Sequence, residues 1–381
     1  MFASLAHMLH DGFMDMTYVL LPSWQADFAL DYAALALLRG LNVGVLAALQ
    51  LPSSRLTRWW NARTILVFGT LLSSMGYALA GFSGGLCALC VSLGLAGAGG
   101  STQHPLASSA ISRAYGDKAR GPLGTYNFAG DLGKALLPPL ISVLLTAMRW
   151  RSALWIAAGL GFVVALSLQW LMPPIPTVPS VPAPISLPNH MVAREGGFWL
   201  LFVIGALDTA TRIGFLLFLP FLLKEKGAGP PLIGLALSFV FIGGGFGKAA
   251  CGWLGERFGL LATVVTTEVG TAATIFGLLH LQLRPSLALL PLLGIMLNGT
   301  SSVLYGTVPE LVERSRLERA FAIFYTGVLG ASALAPILYG RFGDIAGISW
   351  GTIAAALTAL AVVPLMLILT PKLKKQLQVP E

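Results

Sequence analysis

The chain has 381 residues, of which 56% are hydrophobic and only 10% are charged, and its mean hydropathy is +0.78. Soluble domains carry about a quarter charged residues, so this composition excludes a soluble enzyme and leaves no room for a soluble catalytic domain. The formal net charge of +8 would suggest nucleic acid as a partner in a soluble chain, but here we expect a lipid bilayer and no nucleic acid. Three cysteines are too few for a disulfide framework.

The apolar runs between charged residues, prolines and glycines predict helices of about 20 residues, the length needed to cross a bilayer. In chain order they lie near 2–24, 33–52, 63–82, 86–109, 122–147, 152–172, 198–223, 231–254, 260–280, 286–310, 319–341 and 346–370. The predicted fold class is therefore an all-α membrane protein with twelve transmembrane helices in two pseudo-symmetric six-helix bundles.

A proline-rich segment separates the sixth and seventh helices. Seven prolines lie between residues 173 and 188, and such a run is typical of a semi-rigid extended linker because proline cannot continue a helix. We therefore expect an N-terminal bundle at 1–172, a cytoplasmic linker at 173–197, a C-terminal bundle at 198–371 and a basic cytoplasmic tail at 372–381.

The two predicted bundles carry the same landmarks at a nearly constant offset of 198 to 200 residues. The matching positions are Leu21-Pro22 and Leu219-Pro220, Asn61 and Gly259, Arg120 and Arg319, Tyr126 and Tyr325, and Trp150 and Trp350. This repeat indicates a parallel duplication, as in transporters whose two bundles move about a site near the middle of the membrane.

The loop charges predict the orientation of the chain. With both termini in the cytoplasm, the cytoplasmic segments hold fourteen Lys and Arg residues against six on the opposite side. Because Lys and Arg are retained in cytoplasmic loops, we expect both termini to be cytoplasmic.

Several ionisable residues fall inside the predicted spans. Facing all of them to lipid would cost on the order of 25 kcal/mol on insertion scales, so they must line a polar interior or pair with one another. They are Asp11, Asp15, Arg39, Asp131, Lys134, Asp208, Arg212, Lys248 and Glu268.

The first helix carries candidates for proton coupling. His7, Asp11 and Asp15 recur every four residues and therefore share one face. Apart from the histidines, neither carboxylate has a cation on its own helix, and a buried carboxylate without a fixed partner can load and release a proton near neutral pH. We assign proton coupling to Asp11 and Asp15, with hydrogen bonds to neighbouring helices as the alternative.

Two pairs of opposite charge lie within single helices. Asp208 and Arg212 are four residues apart and Asp131 and Lys134 are three apart, spacings at which side chains meet on a helix. Either the pairs are structural or they line the passage. In the second case, Asp131 joins the proton-coupling residues and the other three join the solute-binding ones.

Histidines extend these assignments. His104 precedes Pro105 in a glycine-rich fourth helix, where it is a candidate proton relay or a histidine with purely structural hydrogen bonds. His7 and His10 are candidate solute contacts. Together with Asp11 and Asp15 they could alternatively form a metal site, but we expect no metal and no cofactor.

The six-plus-six plan with a long central loop resembles the major facilitator superfamily over essentially the whole chain. The loop signature of that family, Gly-x-x-x-Asp-Arg-x-Gly-Arg-Arg, appears in the second half from Gly252 through Glu256 and Arg257 to Gly259, with leucines in place of the final arginines. In the first half it has decayed to residues 54–63, with Arg58 where the acid is expected. The Trp150-Arg151 pair also resembles a common element of the family before the sixth helix.

Within the superfamily, the chain resembles the fosmidomycin-resistance branch of bacterial efflux proteins. The residues that carry this resemblance are His7-x-x-x-Asp11, Leu21-Pro22, Gly100-Ser101-x-x-His104-Pro105-x-Ala107-Ser108 and the segment 124–133. The resemblance implies export of a solute in exchange for protons, and residence in the bacterial inner membrane as a multi-pass protein.

Our hypothesis is a secondary active transporter that exchanges protons for a small organic anion by alternating access. Asp11, Asp15, Asp131 and His104 would couple protons. The solute would contact His7, His10, Arg39, Lys134, Asp208, Arg212 and Lys248. We expect a monomer whose partners are solute and protons. The alternatives are proton-coupled uptake of an organic anion, export of a metal ion or chelate, and a non-transporting membrane receptor or scaffold. No nucleophile and base pair indicates an enzyme.

Overall fold

The computed structural model describes residues 2–103, 106–107, 111, 115, 120–173, 196–312 and 317–376. These residues form eleven α-helices and a short 3-10 helix, Arg55–Arg58. The helices are α1 (Phe2–Phe28), α2 (Tyr32–Ser54), α3 (Ala62–Ala80), α4 (Leu86–Gly100), α5 (Arg120–Ala147), α6 (Trp150–Leu171), α7 (Gly196–Glu225), α8 (Pro230–His280), α9 (Leu283–Leu311), α10 (Leu317–Ala346) and α11 (Ile348–Gln376). The predicted proline-rich linker lies almost entirely outside the described residues.

Helix α8 contains two membrane spans. Gly259, with φ of 82° and ψ of 167°, interrupts the helical backbone, and this left-handed φ is open to glycine at little steric cost. The interruption separates α8a (residues 230–258) from α8b (residues 260–280). The eleven helices therefore supply the twelve predicted spans.

Most of the described helices suit a bilayer. Nine of the eleven are long and apolar enough to cross a membrane. The other two are α1, which carries the acidic residues noted above, and α4, which has 15 residues. Large apolar side chains such as Val91, Trp170 and Leu338 are 72 to 81% exposed, as expected for surfaces that face lipid.

Polar side chains mark the start of two helices. Asp31 accepts a hydrogen bond from the Ala34 amide at 2.8 Å and caps α2. Asn61 accepts one from the Thr64 amide at 2.9 Å and caps α3. Each cap satisfies a backbone donor that the first turn of a helix leaves free. The caps end the preceding loops and fix where the spans begin.

The described chain forms two compact units. The first comprises Met1–Ser180 with Leu223–Phe241, and the second comprises Val181–Leu222 with Ile242–Glu381. This grouping places the start of α8a with the first unit, and the predicted boundaries at 172 and 198 stay a prediction.

Glycines allow close helix packing in the first unit. A Cβ atom on Gly133 of α5 would overlap the Met8 carbonyl of α1, and one on Gly12 would lie 2.8 Å from the Gly133 carbonyl. A Cβ atom on Gly97 of α4 would likewise overlap the Asn42 carbonyl of α2. Small residues let helix backbones approach closely in membranes. The close contact between Gly133 and Met8 brings the polar face of α1 against α5.

The second unit has a core of large apolar side chains from five helices. The α7, α8b and α9 side chains in it pack against others from α10 and α11. The buried members are Phe198, Leu201, Ile204, Val264, Leu304, Val308, Leu311, Ala320, Phe324, Val328, Val362, Met366 and Leu369. This core fixes α7 against α8b and therefore positions the charged residues that both helices carry.

Candidate functional site

The polar face predicted for α1 is buried. His7, His10, Asp11 and Asp15 are each at most 7% exposed. Helix α1 is therefore enclosed by protein over the region that holds its two central carboxylates, and the partners of those carboxylates come from neighbouring helices.

Asp15 forms a closed ion pair with Arg39 of α2. The distance from Arg39 Nη2 to Asp15 Oδ1 is 2.6 Å, and the two side chains are 3% and 8% exposed. Arg39 Nη1 also donates to the Met14 carbonyl at 2.8 Å, and the guanidinium lies 4.6 Å from the centroid of the Tyr18 ring. The pair joins α1 to α2 and is shielded from solvent. Its predicted roles in proton coupling and solute binding stay predictions.

Asp11 meets a different cation, Lys134 of α5. Lys134 Nζ lies 3.0 Å from Asp11 Oδ2 and 3.8 Å from Asp131 Oδ1. The nearer partner of Lys134 is thus a carboxylate on α1, whereas the sequence indicated only the pair within α5. The Lys134 side chain is 29% exposed, against 9% for that of Asp11, so this ion pair is more open than the pair formed by Asp15.

His7 completes this group, which we call the Asp11 cluster: His7, Asp11, Asp131 and Lys134. His7 Nε2 lies 3.4 Å from Asp11 Oδ1, and His7 Nδ1 lies 2.8 Å from the Tyr126 carbonyl oxygen. The imidazole also stacks on the Tyr126 ring at 4.0 Å between centroids. Gly130 allows this approach, because a Cβ atom there would lie 2.6 Å from the imidazole. The ring is therefore fixed beside the Asp11 carboxylate.

His10 faces another helix. His10 Nε2 lies 3.2 Å from Thr70 Oγ1 of α3. A small cavity of about 10 Å³, bounded by His10, Asp11, Asn42 and Gln103 among others, lies beside it. That volume is close to the least that can hold one water molecule. Asp11 therefore contacts Lys134 and also borders a polar cavity.

The second unit holds the remaining predicted charges. Asp208 and Arg212 of α7 interact electrostatically, and so do the carboxyl groups of Asp208 and of Glu268 on α8b. Lys248 of α8a is half-buried, and its carbonyl oxygen accepts a hydrogen bond from Ser302 at 3.4 Å. The interaction between Asp208 and Glu268 was not predicted, because Glu268 had no specific predicted role.

Two further predictions are His104 as a proton relay and, as an alternative, a metal site on α1. His104 lies outside the described residues, so its predicted role as a proton relay has no structural description. The alternative metal site would need the side chains of α1 to converge, yet His7 faces α5 and His10 faces α3. Across the described parts of the chain, no group of three or more His, Cys, Asp or Glu residues is placed to hold a metal ion.

Aromatic residues around these charges were missed by sequence reasoning. Tyr126 was noted only as a landmark of the repeat, and Tyr18 and Tyr77 were not singled out. Tyr77 is 1% exposed and donates to the Phe13 carbonyl at 2.8 Å. Their spacing carries no signal, because each contacts a helix that is distant in sequence.

Comparison with known proteins identifies the family. The profile of the Major Facilitator Superfamily matches residues 3–210 and 198–381. Human Monocarboxylate transporter 11 is 24% identical over 333 residues, which is 82% of this chain and 69% of that protein. Bovine Monocarboxylate transporter 13 is 24% identical over 309 residues, which is 77% of this chain and 70% of that protein. The narrower resemblance to the fosmidomycin-resistance branch stays a prediction.

Solved structures share the fold. An inward-facing, occupied bacterial homolog of the human lysosomal transporter Spinster aligns with a TM-score of 0.84 and 15% identity, over 100% of this chain and 98% of the other. A peptide transporter, POT, in complex with sulfate aligns with a TM-score of 0.75 and 15% identity, over 98% and 94%. The predicted fold class of twelve transmembrane helices in two six-helix bundles is thus confirmed. The chain belongs to the major facilitator superfamily and is a multi-pass membrane transporter, not an enzyme.

Proposed function

We propose that the protein carries a small organic monocarboxylate across the membrane together with a proton, through the Asp11 cluster. The observation that carries this proposal is the partly exposed Lys134, whose ammonium lies between two carboxylates. The two relatives named above are called monocarboxylate transporters, which supports the solute class. In this proposal, Lys134 receives the solute carboxylate and Asp11 receives the proton.

The charge balance of the cluster supports this assignment. Two carboxylates, Asp11 and Asp131, face one ammonium, and His7 lies beside Asp11. With both carboxylates ionised and His7 neutral, the group carries one excess negative charge inside the membrane. A proton on Asp11 removes this excess and frees Lys134 from its nearer partner. The ammonium can then accept a solute carboxylate, which restores the original net charge.

This order of events favours co-transport. A solute anion that enters without a proton would add a second negative charge, and on insertion scales a charge within the membrane costs roughly 2.5 to 3.5 kcal/mol. Anion and proton therefore stabilise each other in the site and travel in the same direction. Exchange, as expected from the resemblance to efflux proteins, would instead require the two to compete for the site.

Transport by purified protein in liposomes tests the proposal. With an alkaline interior, the wild-type protein should accumulate radiolabelled lactate above the level in protein-free liposomes, which corrects for diffusion of undissociated acid. Asp11→Asn should lose this accumulation yet keep exchange of labelled for unlabelled lactate, because a neutral side chain mimics a permanently protonated one. Lys134→Gln should weaken lactate binding about tenfold or more, as expected when a charge-assisted hydrogen bond of about 1.5–3 kcal/mol is lost.

The controls and contrary outcomes are specific. Lys372→Gln removes an exposed lysine near the end of α11 and should change neither measurement. Accumulation that requires an acidic interior would replace co-transport by exchange. Accumulation by Asp11→Asn equal to that of the wild-type protein would remove Asp11 from proton coupling.

A further inference from the structure

We propose that Asp208 and Glu268 form a second proton-binding site, in the second unit, and that its proton exchanges with solvent during transport. The proposal rests on the proton-coupled transport proposed above. It concerns a pair of residues that the Asp11 cluster does not include, and it gives Glu268 a role.

The burial and like charge of the two acids favour a shared proton. Asp208 is 4% exposed and Glu268 is 2% exposed, and their carboxyl groups interact electrostatically with each other. An ionised carboxylate only accepts hydrogen bonds, so two carboxyl groups can share one only if one of them is protonated. Two ionised carboxylates in contact would also repel each other, as in other carboxylate pairs that hold a single proton.

The surroundings provide one permanent cation for the two acids. Among the described groups that interact electrostatically with Asp208, Arg212 is the only cation, one turn further along α7. The other titratable neighbours of Asp208 are the Cys251 thiol of α8a and the Tyr305 hydroxyl of α9. Tyr325 of α10 lies next to Tyr305, at 6.3 Å between ring centroids. A proton shared by the acid pair leaves one negative charge opposite Arg212.

One oxygen of the Glu268 carboxyl group is buried and unsatisfied. Glu268 Oε1 has no hydrogen-bond partner in the described structure, although it is shielded from solvent. Thr300 of α9 interacts with the same carboxyl group and donates to Thr267 at 2.8 Å. Glu268 thus has one oxygen available to hold a proton, on a side chain that interacts with α7 and α9.

The internal repeat provides an independent comparison. The first-unit residues that lie 198 positions before Asp208 and Glu268 are His10 and Thr70, and these two side chains lie 3.2 Å apart. The repeat has therefore kept a polar contact between equivalent helices in both units. In the first unit Thr70 cannot titrate, whereas in the second unit both partners are acids, so this position is built to hold a proton in one half of the chain.

Infrared spectroscopy and transport together test the proposal. Purified full-length protein at neutral pH should show the carbonyl band of a buried protonated carboxylic acid. Asp208→Asn and Glu268→Gln should each lose this band, because the single remaining acid can ionise opposite Arg212 and no longer needs a proton. Glu310→Gln, a matched change at an exposed carboxyl group, should keep it. In liposomes, Glu268→Gln should lower the ratio of protons to lactate about twofold relative to the wild-type protein.

The outcomes separate this proposal from the preceding one. Absence of the band in the wild-type protein, or its survival in both variants, would overturn the assignment of the proton to this pair. Loss of the band with an unchanged ratio of protons to lactate would show a fixed structural proton and would overturn its exchange. If the wild-type protein carries no lactate, the proposed function fails, whereas the infrared result still decides whether the pair holds a proton.

Discussion

The ion pair between Asp15 and Arg39 should be essential for the stability of the first unit. Arg39→Gln leaves the Asp15 side chain, which is 8% exposed, without the guanidinium that lies 2.6 Å away. Removing one partner of a buried ion pair costs about 3–5 kcal/mol, because the other charge stays buried. Loss of the contact between the guanidinium and Tyr18 adds about 1 kcal/mol. We therefore expect a loss of about 4–6 kcal/mol in the free energy of unfolding.

A double-mutant cycle isolates the pairing energy. Asp15→Asn combined with Arg39→Gln removes both charges and leaves two amides that can hydrogen-bond, so the double variant should lose only about 1–2 kcal/mol. The coupling energy is the sum of the losses of the two single variants minus the loss of the double variant, and we expect it to reach at least about 3 kcal/mol, the upper end for residues in contact. Equilibrium unfolding in lipid bicelles measures all four proteins of the cycle.

A second ion pair in the same unit serves as the control. Arg151 Nη1 lies 3.1 Å from Asp27 Oδ2, but these side chains are 30% and 44% exposed. Arg151→Gln should therefore cost at most about 1 kcal/mol, as is usual for exposed pairs. The reasoning fails if Arg39→Gln costs no more than Arg151→Gln, or if the double variant is less stable than either single variant.

Two further predictions concern packing and pH. Gly133→Ala should destabilise the first unit by about 1–3 kcal/mol and reduce transport, because the new methyl group overlaps the Met8 carbonyl. The control is Gly159→Ala, where a Cβ atom meets nothing within 4 Å. Equal thermal unfolding temperatures for the two variants would contradict the packing argument. The pKa of Asp27 lies below its ordinary value of 3.8, because the Trp150 indole and then Arg151 hydrogen-bond to its carboxylate. The stabilisation from Asp27 is thus full above pH 3.8 and is lost as pH falls through the lowered pKa. The Tm difference between the wild-type protein and Asp27→Asn should therefore shrink only in that acidic range. A Tm difference that stays constant with pH would refute this prediction.

The helices and their order were predictable because membrane spans are long and apolar. The pattern indicated twelve spans, and even the break at Gly259 fell between two predicted helices. The charges could be located but not paired, because spacing reports only contacts within one helix. The partners of Asp11 and Asp15 are cations on α5 and α2, and these approaches depend on which helix faces are in contact.

Glycines explain part of the ion pairing that could not be predicted from the sequence. Gly130 and Gly133 bring α5 close to α1, so that Lys134 reaches Asp11. In the sequence, these glycines are indistinguishable from those that meet no neighbour, such as Gly159. A glycine permits a close approach without specifying its partner, so the pairing in the Asp11 cluster needed coordinates.

Because of the internal repeat, a contact known in one half of the chain predicts the equivalent contact in the other half. The contact between His10 and Thr70 predicts that residues 198 positions later also meet, and those are Asp208 and Glu268. The same transfer relates Thr102, two residues after Gly100 in the first half, to Thr300, which interacts with Glu268. The duplicated backbone thus fixes which side chains meet, while the residue types at those positions decide whether the contact can bind a proton. Because the acidic version occurs in one half only, proton binding in the two halves need not be equivalent, and substitutions at matching positions should differ in their effect on proton coupling even where they preserve the same contact.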